Sequence, residues 1–253
     1  MKKLFAVILV LTTLLIPLLT GCLRKEYSNE DFTYYIFVSK KNDRRIEITG
    51  LTEAGNQKEV LVVPETIDGI PVTAIRKSMI FTMPGYSAEG YWHSQKLKKL
   101  YFYTNKNLPK VTLRDCKALE SIYVLKINEI SNLFGSGGLT SAVEKIFIPS
   151  KAYFDLGRRR LIQIFPANTT YYLNYLNADN DGVFWIDNIE EGEKIEYQPP
   201  MEPTRDGYVF GGWYKEPECL NKWNFSIDTM PETPQGAENG FYELKLYAKW
   251  IKK

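Results

Sequence analysis

The sequence predicts a mainly β protein in two modules, a short solenoid of parallel strands followed by a small, separate β-rich domain. Three observations carry that expectation. The middle of the chain repeats one apolar pattern, in segments starting at Leu97, Leu119 and Val143, 22 and 24 residues apart. The period stops near Pro166, and a passage rich in aromatic residues, Asn, Asp and Gly follows. The composition is globular, 44% hydrophobic and 25% charged, over 253 residues, a length that suits one or two domains.

The first element is a targeting segment. Met1-Lys2-Lys3 is a cationic start, and Leu4 to Leu19 is an apolar run broken by Thr12, Thr13 and Pro17. That is the pattern of a secretory signal. An uncleaved membrane anchor is the alternative, since about 20 apolar residues span a bilayer. Leu19-Thr20-Gly21-Cys22 closes the run and resembles the lipobox of bacterial lipoproteins. The resemblance implies cleavage of residues 1–21 and lipid attachment at Cys22. Durable anchoring takes more than one acyl chain. Residues 22–33 are then expected to be a lipidated N-terminus and linker. Both readings place the body outside the cytoplasm, in a bacterial cell envelope.

Removing the leader also removes Lys2 and Lys3, so the balance becomes 32 − 2 = 30 basic residues against 30 acidic ones. A neutral mature chain gives no reason to expect a nucleic-acid partner. The clusters Lys96/Lys98/Lys99 and Arg158-Arg159-Arg160 read as solvated faces.

The repeats come next. Leu97-Lys-Lys-Leu-Tyr-Phe-Tyr103, Leu119-Glu-Ser-Ile-Tyr-Val-Leu125 and Val143-Glu-Lys-Ile-Phe-Ile-Pro149 share one form, and Val60-Leu-Val-Val-Pro64 echoes its last positions. Each ends in a two-residue alternation, so each predicts a short strand. Alternation sends Leu97, Leu100 and Phe102 inward, with Leu119, Ile122 and Val124, and with Val143, Ile146 and Ile148. Stacking fills an interior that no single repeat could bury alone. The intervening Val62, Tyr101, Tyr123 and Phe147 are expected on an open sheet face, flanked by Lys99, Ser121 and Lys145. Exposed aromatic columns mark interaction sites. Tyr101, Tyr123, Phe147, Lys99 and Lys145 are therefore the candidate binding residues.

Glu65-Thr-Ile-Asp-Gly-Ile-Pro-Val-Thr-Ala-Ile75 and Leu113-Arg-Asp-Cys-Lys-Ala-Leu-Glu-Ser-Ile-Tyr-Val124 resemble the signatures of the BspA-like, surface-antigen type of leucine-rich repeat. Cys116 falls at that family's usual cysteine, a small buried group. The resemblance spans about Tyr34 to Phe165, giving a leucine-rich repeat domain over 34–166. It departs from the pattern at Phe81 to Gln95, an irregular insertion with Pro84 and Trp92.

In the second module, Tyr171–Tyr175 and Val183–Ile186 read as strands separated by a turn from Asn177 to Gly182. Pro203, Arg205, Gly207, Tyr208, Phe210, Gly212, Trp213 and Tyr214, then Leu246, Tyr247, Ala248 and Trp250, closely resemble the Listeria–Bacteroides repeat, or internalin B-repeat. The resemblance implies a small β-grasp-like domain over 170–253, of a kind that occurs in extracellular bacterial proteins as a spacer or interaction module. Trp213, Trp223, Trp250 and Tyr208 then read as core; a sugar-stacking platform is the alternative.

Catalysis finds little support. His93 is the single histidine, which rules out multi-histidine metal sites, and no nucleophile motif accompanies it. Cys22, Cys116 and Cys219 cannot build a zinc ribbon. The acids Glu190, Glu191, Glu193 and Glu196 read as a solvated loop, and Asn177 to Asn188 departs from a calcium loop at its first and twelfth positions. No cofactor is implied. The expectation is a non-catalytic surface lipoprotein held to the membrane by its lipid, with an extracellular protein or glycan ligand. A structural spacer, or an accessory module of a glycan-handling system, is the alternative.

Overall fold

The structure is a computed structural model that describes residues 25–39, 43–75, 94–103, 116–125, 145–155, 164–175 and 182–253. The leader, Cys22, Val143, the segment holding Trp92 and His93, and Arg158-Arg159-Arg160 lie outside the described residues. The described residues are mainly β and are organised as three sheets.

The middle sheet is the repeat ladder. Its strands are β4 (Val60–Val63), β7 (Lys99–Phe102), β8 (Ser121–Val124), β9 (Lys145–Ile148) and β10 (Ile164–Pro166), in the order β10-β9-β8-β7-β4. All four pairings are parallel. The register joins Leu61 to Leu100, Leu100 to Ile122, Ile122 to Ile146 and Ile146 to Ile164, so the inward rung residues stand directly above one another. Leu97, Leu100, Phe102, Leu119, Ile122, Val124, Ile146 and Ile148 are all buried, as alternation predicts. Cys116 is fully buried, as expected of a small group at that position.

A second sheet precedes the ladder and is only partly visible in the sequence pattern. It comprises β1 (Glu26–Ser28), β2 (Phe32–Val38), β3 (Arg44–Leu51), β5 (Thr66–Ile67) and β6 (Ile70–Ile75), in the order β1-β2-β3-β6-β5. Only β3 and β6 pair in parallel. The segment expected to be a linker up to residue 33 is therefore partly folded: β1 pairs with β2, and Phe32 is 1% exposed. Asp68 and Gly69 both take positive φ between β5 and β6, the conformation that a two-residue hairpin of matching twist demands. A short helix, α1 (Glu53–Asn56), is capped by the Thr52 hydroxyl, which accepts the Gly55 amide at 3.0 Å. Phe32, Tyr34, Ile46 and Ile48 of this sheet share one apolar cluster with Leu61, Leu100, Ile122 and Ile146 of the ladder.

The third sheet contains β11 (Thr169–Tyr172), β12 (Val183–Asp187), β13 (Tyr208–Tyr214) and β14 (Leu244–Lys252), ordered β12-β11-β14-β13. Its central strands β11 and β14 are parallel, and each outer strand is antiparallel to its neighbour. Tyr101, Tyr123 and Phe147 of the ladder belong to one cluster with Tyr171, Trp185, Trp213 and Leu246 of this sheet. The ladder is thus the middle layer, with apolar neighbours on both faces. A second short helix, α2 (Ser150–Asp155), leaves the end of β9 and packs beside β10.

Candidate functional site

The five residues assigned from sequence to a binding face divide sharply. Tyr101 is 0% exposed, Tyr123 2% and Phe147 5%. The expected open column therefore exists as a column but is closed, a correction to the sequence reading. Its rings do stack: Tyr101 on Tyr123 at 4.3 Å, Tyr123 on Phe147 at 5.1 Å, and Phe147 against Phe165 at 6.1 Å. Trp185 of β12 covers it, with its ring 4.3 Å from that of Tyr101, and Tyr197 lies 5.9 Å from the same ring. The physical reason is general. A parallel sheet pairs with layers on both faces, so a row of large rings on its second face is a docking surface for the molecule's own next layer. Lys145 remains exposed on the rim.

Lys99 is drawn into that interface. Its ammonium lies 3.6 Å from Asp187 Oδ1 and 5.9 Å from the centre of the Tyr123 ring. Asp187 ends β12 and is fully buried. Its Oδ1 also accepts the Asn188 amide at 2.8 Å, while Oδ2 closes no hydrogen bond. Burial pushes the Asp187 carboxyl above the ordinary aspartate value, and Lys99 and the Asn188 amide oppose that push. Burial likewise raises the Tyr101 phenol, with the Asp187 charge adding to the shift. The Tyr101 hydroxyl is buried beside the Asp187 carboxylate. Sequence reasoning missed Asp187 and Trp185, because the alternation of Val183 to Asp187 shows two faces without saying what each one meets.

The signature residues of the second module are structural. Trp213 is 6% exposed, packed on Tyr171 at 4.9 Å and Phe210 at 5.1 Å, and Trp223 is 4% exposed. The Arg205 guanidinium sits 4.1 Å from the Tyr208 ring centre and 5.9 Å from that of Trp250. Gly212 has φ +105° at the register shift in β13 before Trp213, and an added Cβ there would meet the Lys222 side chain, so that irregularity favours glycine. Trp213 and Trp223 are therefore core, whereas Tyr208 and Trp250 are half-buried and are held at the surface of that core beside Arg205.

Two clefts flank the interface. One, of about 360 Å³, is lined by Lys98, Lys99, Glu190, Glu193, Glu196 and Tyr197. The other, of about 580 Å³, lies between α2 and the third sheet and is lined by Phe154, Tyr172, Phe241, Glu243 and Lys245 among others. Pro149-Ser150, a helix-start signal, was the one sequence cue to its α2 wall. Glu243 carries no such cue, since its partner Thr170 is 73 residues away in sequence. Among the described residues, no group of three or more His, Cys, Asp or Glu side chains is placed to hold a metal ion. No helix of the described residues is long and apolar enough to cross a membrane.

Residues 171–234 match the family model of the Listeria-Bacteroides repeat domain. The segment defines the class of module that closes the aromatic face. A stretch of 87 residues, 33% of this chain, is 35% identical to internalin H of Listeria monocytogenes. The chain spans only 14% of that protein's length.

Proposed function

We propose that this chain is a lipid-anchored, extracytoplasmic surface protein with a non-catalytic binding or adhesion role. In this reading a leucine-rich repeat ladder is capped by a β-grasp-like internalin B-repeat module, and the ligand is an extracellular protein or glycan. The observation that carries it is the match of residues 171–234 to the Listeria-Bacteroides repeat domain, reinforced by the resemblance to internalin H. Leu19-Thr-Gly-Cys22 supports the anchor, with lipid on Cys22 holding the chain to the membrane.

The closed aromatic column changes where binding occurs. Because Tyr101, Tyr123 and Phe147 are consumed by the module interface, recognition falls to surfaces formed by both modules together. Cells expressing the full chain should lose it to protease added outside. Cys22→Ala should release it from the membrane fraction. Expression should raise attachment to surfaces coated with mucin, fibronectin or collagen, compared with cells carrying an empty vector. Attachment unchanged on all three coatings would leave a spacer role in its place.

A further inference from the structure

The 580 Å³ cleft between α2 and the third sheet has the features of a ligand site. Its volume lies within the roughly 300–1,000 Å³ range of small-molecule sites. Phe154 is 39% exposed at its mouth, and the Phe241 ring stands 5.7 Å away at 64°, so the two rings offer one face and one edge. Glu243 is fixed in the wall. Its Oε1 accepts the Thr170 hydroxyl at 2.6 Å and the Tyr172 hydroxyl at 3.4 Å, and Lys245 lies 3.7 Å from Oε2. A carboxylate held this way is pre-ordered, so a ligand group meeting it need not first organise it.

The balance of the lining selects the ligand. Among the described residues of the lining, Lys151 and Lys245 offset Glu238 and Glu243, so their formal charge is zero and they give neither a polyanion nor a polycation net attraction. A purely apolar ligand would desolvate four ions without pairing them. An extended peptide read through its backbone needs a free strand edge. Tyr172, Glu243 and Lys245 lie on or beside β11 and β14, the two central strands, whose edges are already paired. What remains is a neutral molecule that alternates C–H faces with hydroxyls.

We propose that the cleft formed by Phe154, Tyr172, Phe241 and Glu243 binds a neutral oligosaccharide. Phe154 and Phe241 cover its apolar faces, while Glu243 accepts hydroxyl protons and Lys151 and Lys245 donate to ring and hydroxyl oxygens. This rests on the surface-binding reading above and specifies its ligand.

The test is calorimetric titration of the full chain, held in a sugar-free detergent, with cellohexaose, maltohexaose and mannohexaose. Hyaluronan hexasaccharide, chitosan hexamer and a neutral extended peptide serve as competitors. Binding of at least one neutral sugar, weakened about tenfold or more by Phe154→Ala with the melting temperature unchanged, is the expected result. Phe241→Ala should weaken the same sugar. No binding by any of the three sugars overturns the proposal. So does binding indifferent to both phenylalanine variants, or displacement by a charged or peptide competitor. If the sugars fail while cells still attach to coated surfaces, the cleft assignment falls and the surface-binding reading stands. If a sugar binds but expression leaves attachment unchanged, the adhesion role falls instead.

Discussion

Asp187 has no contact with solvent, and among the described residues its ionic neighbour is Lys99 on the facing module. Among the described residues, Tyr101, Tyr123, Tyr171 and Tyr197 are the other titratable groups that feel its charge. Because burial raises its carboxyl, the folded chain binds that proton more tightly than the unfolded chain does. The stability linked to this group is therefore fully present below the unfolded aspartate value and is lost as pH rises through the folded one. Asp187→Asn has no such titration. The melting temperature of the variant minus that of the wild type should rise between about pH 4, near the ordinary aspartate value, and about pH 7. A difference that stays flat across that window would show that Asp187 bears no burial penalty. Gly55 gives a second prediction at this scale. An added Cβ would collide with the Asp31 backbone carbonyl, which no rotamer change can relieve. Gly55→Ala should destabilise the fold by about 1–3 kcal/mol, read from the denaturation midpoint.

At the scale of the element, the ladder's register is its strongest specification. Ile122 lies between Leu100 and Ile146 in adjacent rungs and is 3% exposed. Ile122→Ala should cost about 2–5 kcal/mol, the range for truncating a buried aliphatic side chain. Lys145→Ala, in the adjacent strand but on the exposed rim, should stay within about 0.5 kcal/mol of wild type. Comparable losses from both would mean that the rung interior is not where the energy lies. This contrast also shows what was legible beforehand. Leu100, Ile122 and Ile146 could be aligned because the same apolar step recurs and a strand's side chains alternate strictly. The fate of Tyr101, Tyr123 and Phe147 could not be read that way, since alternation assigns a residue to a face and leaves the face's neighbour open. A cue was nonetheless present: Leu100-Tyr-Phe102 and Ile122-Tyr-Val124 are unbroken apolar runs, the pattern of strands covered on both sides. The mixed sheet around Phe32 and Ile46 was harder to read, because its segments do not repeat and β3 pairs both with its neighbour in sequence and, in parallel, with the more distant β6.

At the scale of the molecule, the three layers share their interfaces so closely that the two modules should unfold together. The ladder gives its inner rungs to the first sheet and its aromatic column to the third, so loss of either cover exposes large apolar surface. Four of the five tryptophans, Trp185, Trp213, Trp223 and Trp250, lie in the C-terminal module and report on it through fluorescence. Tyr123 lies in the ladder, 2% exposed and stacked on Tyr101, which itself stacks on Trp185. Tyr123→Ala removes a ring from the middle of that stack. It should lower stability by about 3–5 kcal/mol, the range for buried aromatic truncations. If the interface couples the modules, the tryptophan-detected transition and the backbone circular-dichroism transition should move to lower denaturant together and remain superimposed. Independent modules would behave differently. The tryptophan transition would hold its midpoint while the circular-dichroism curve split in two, and the aromatic column would then be a contact without energetic consequence.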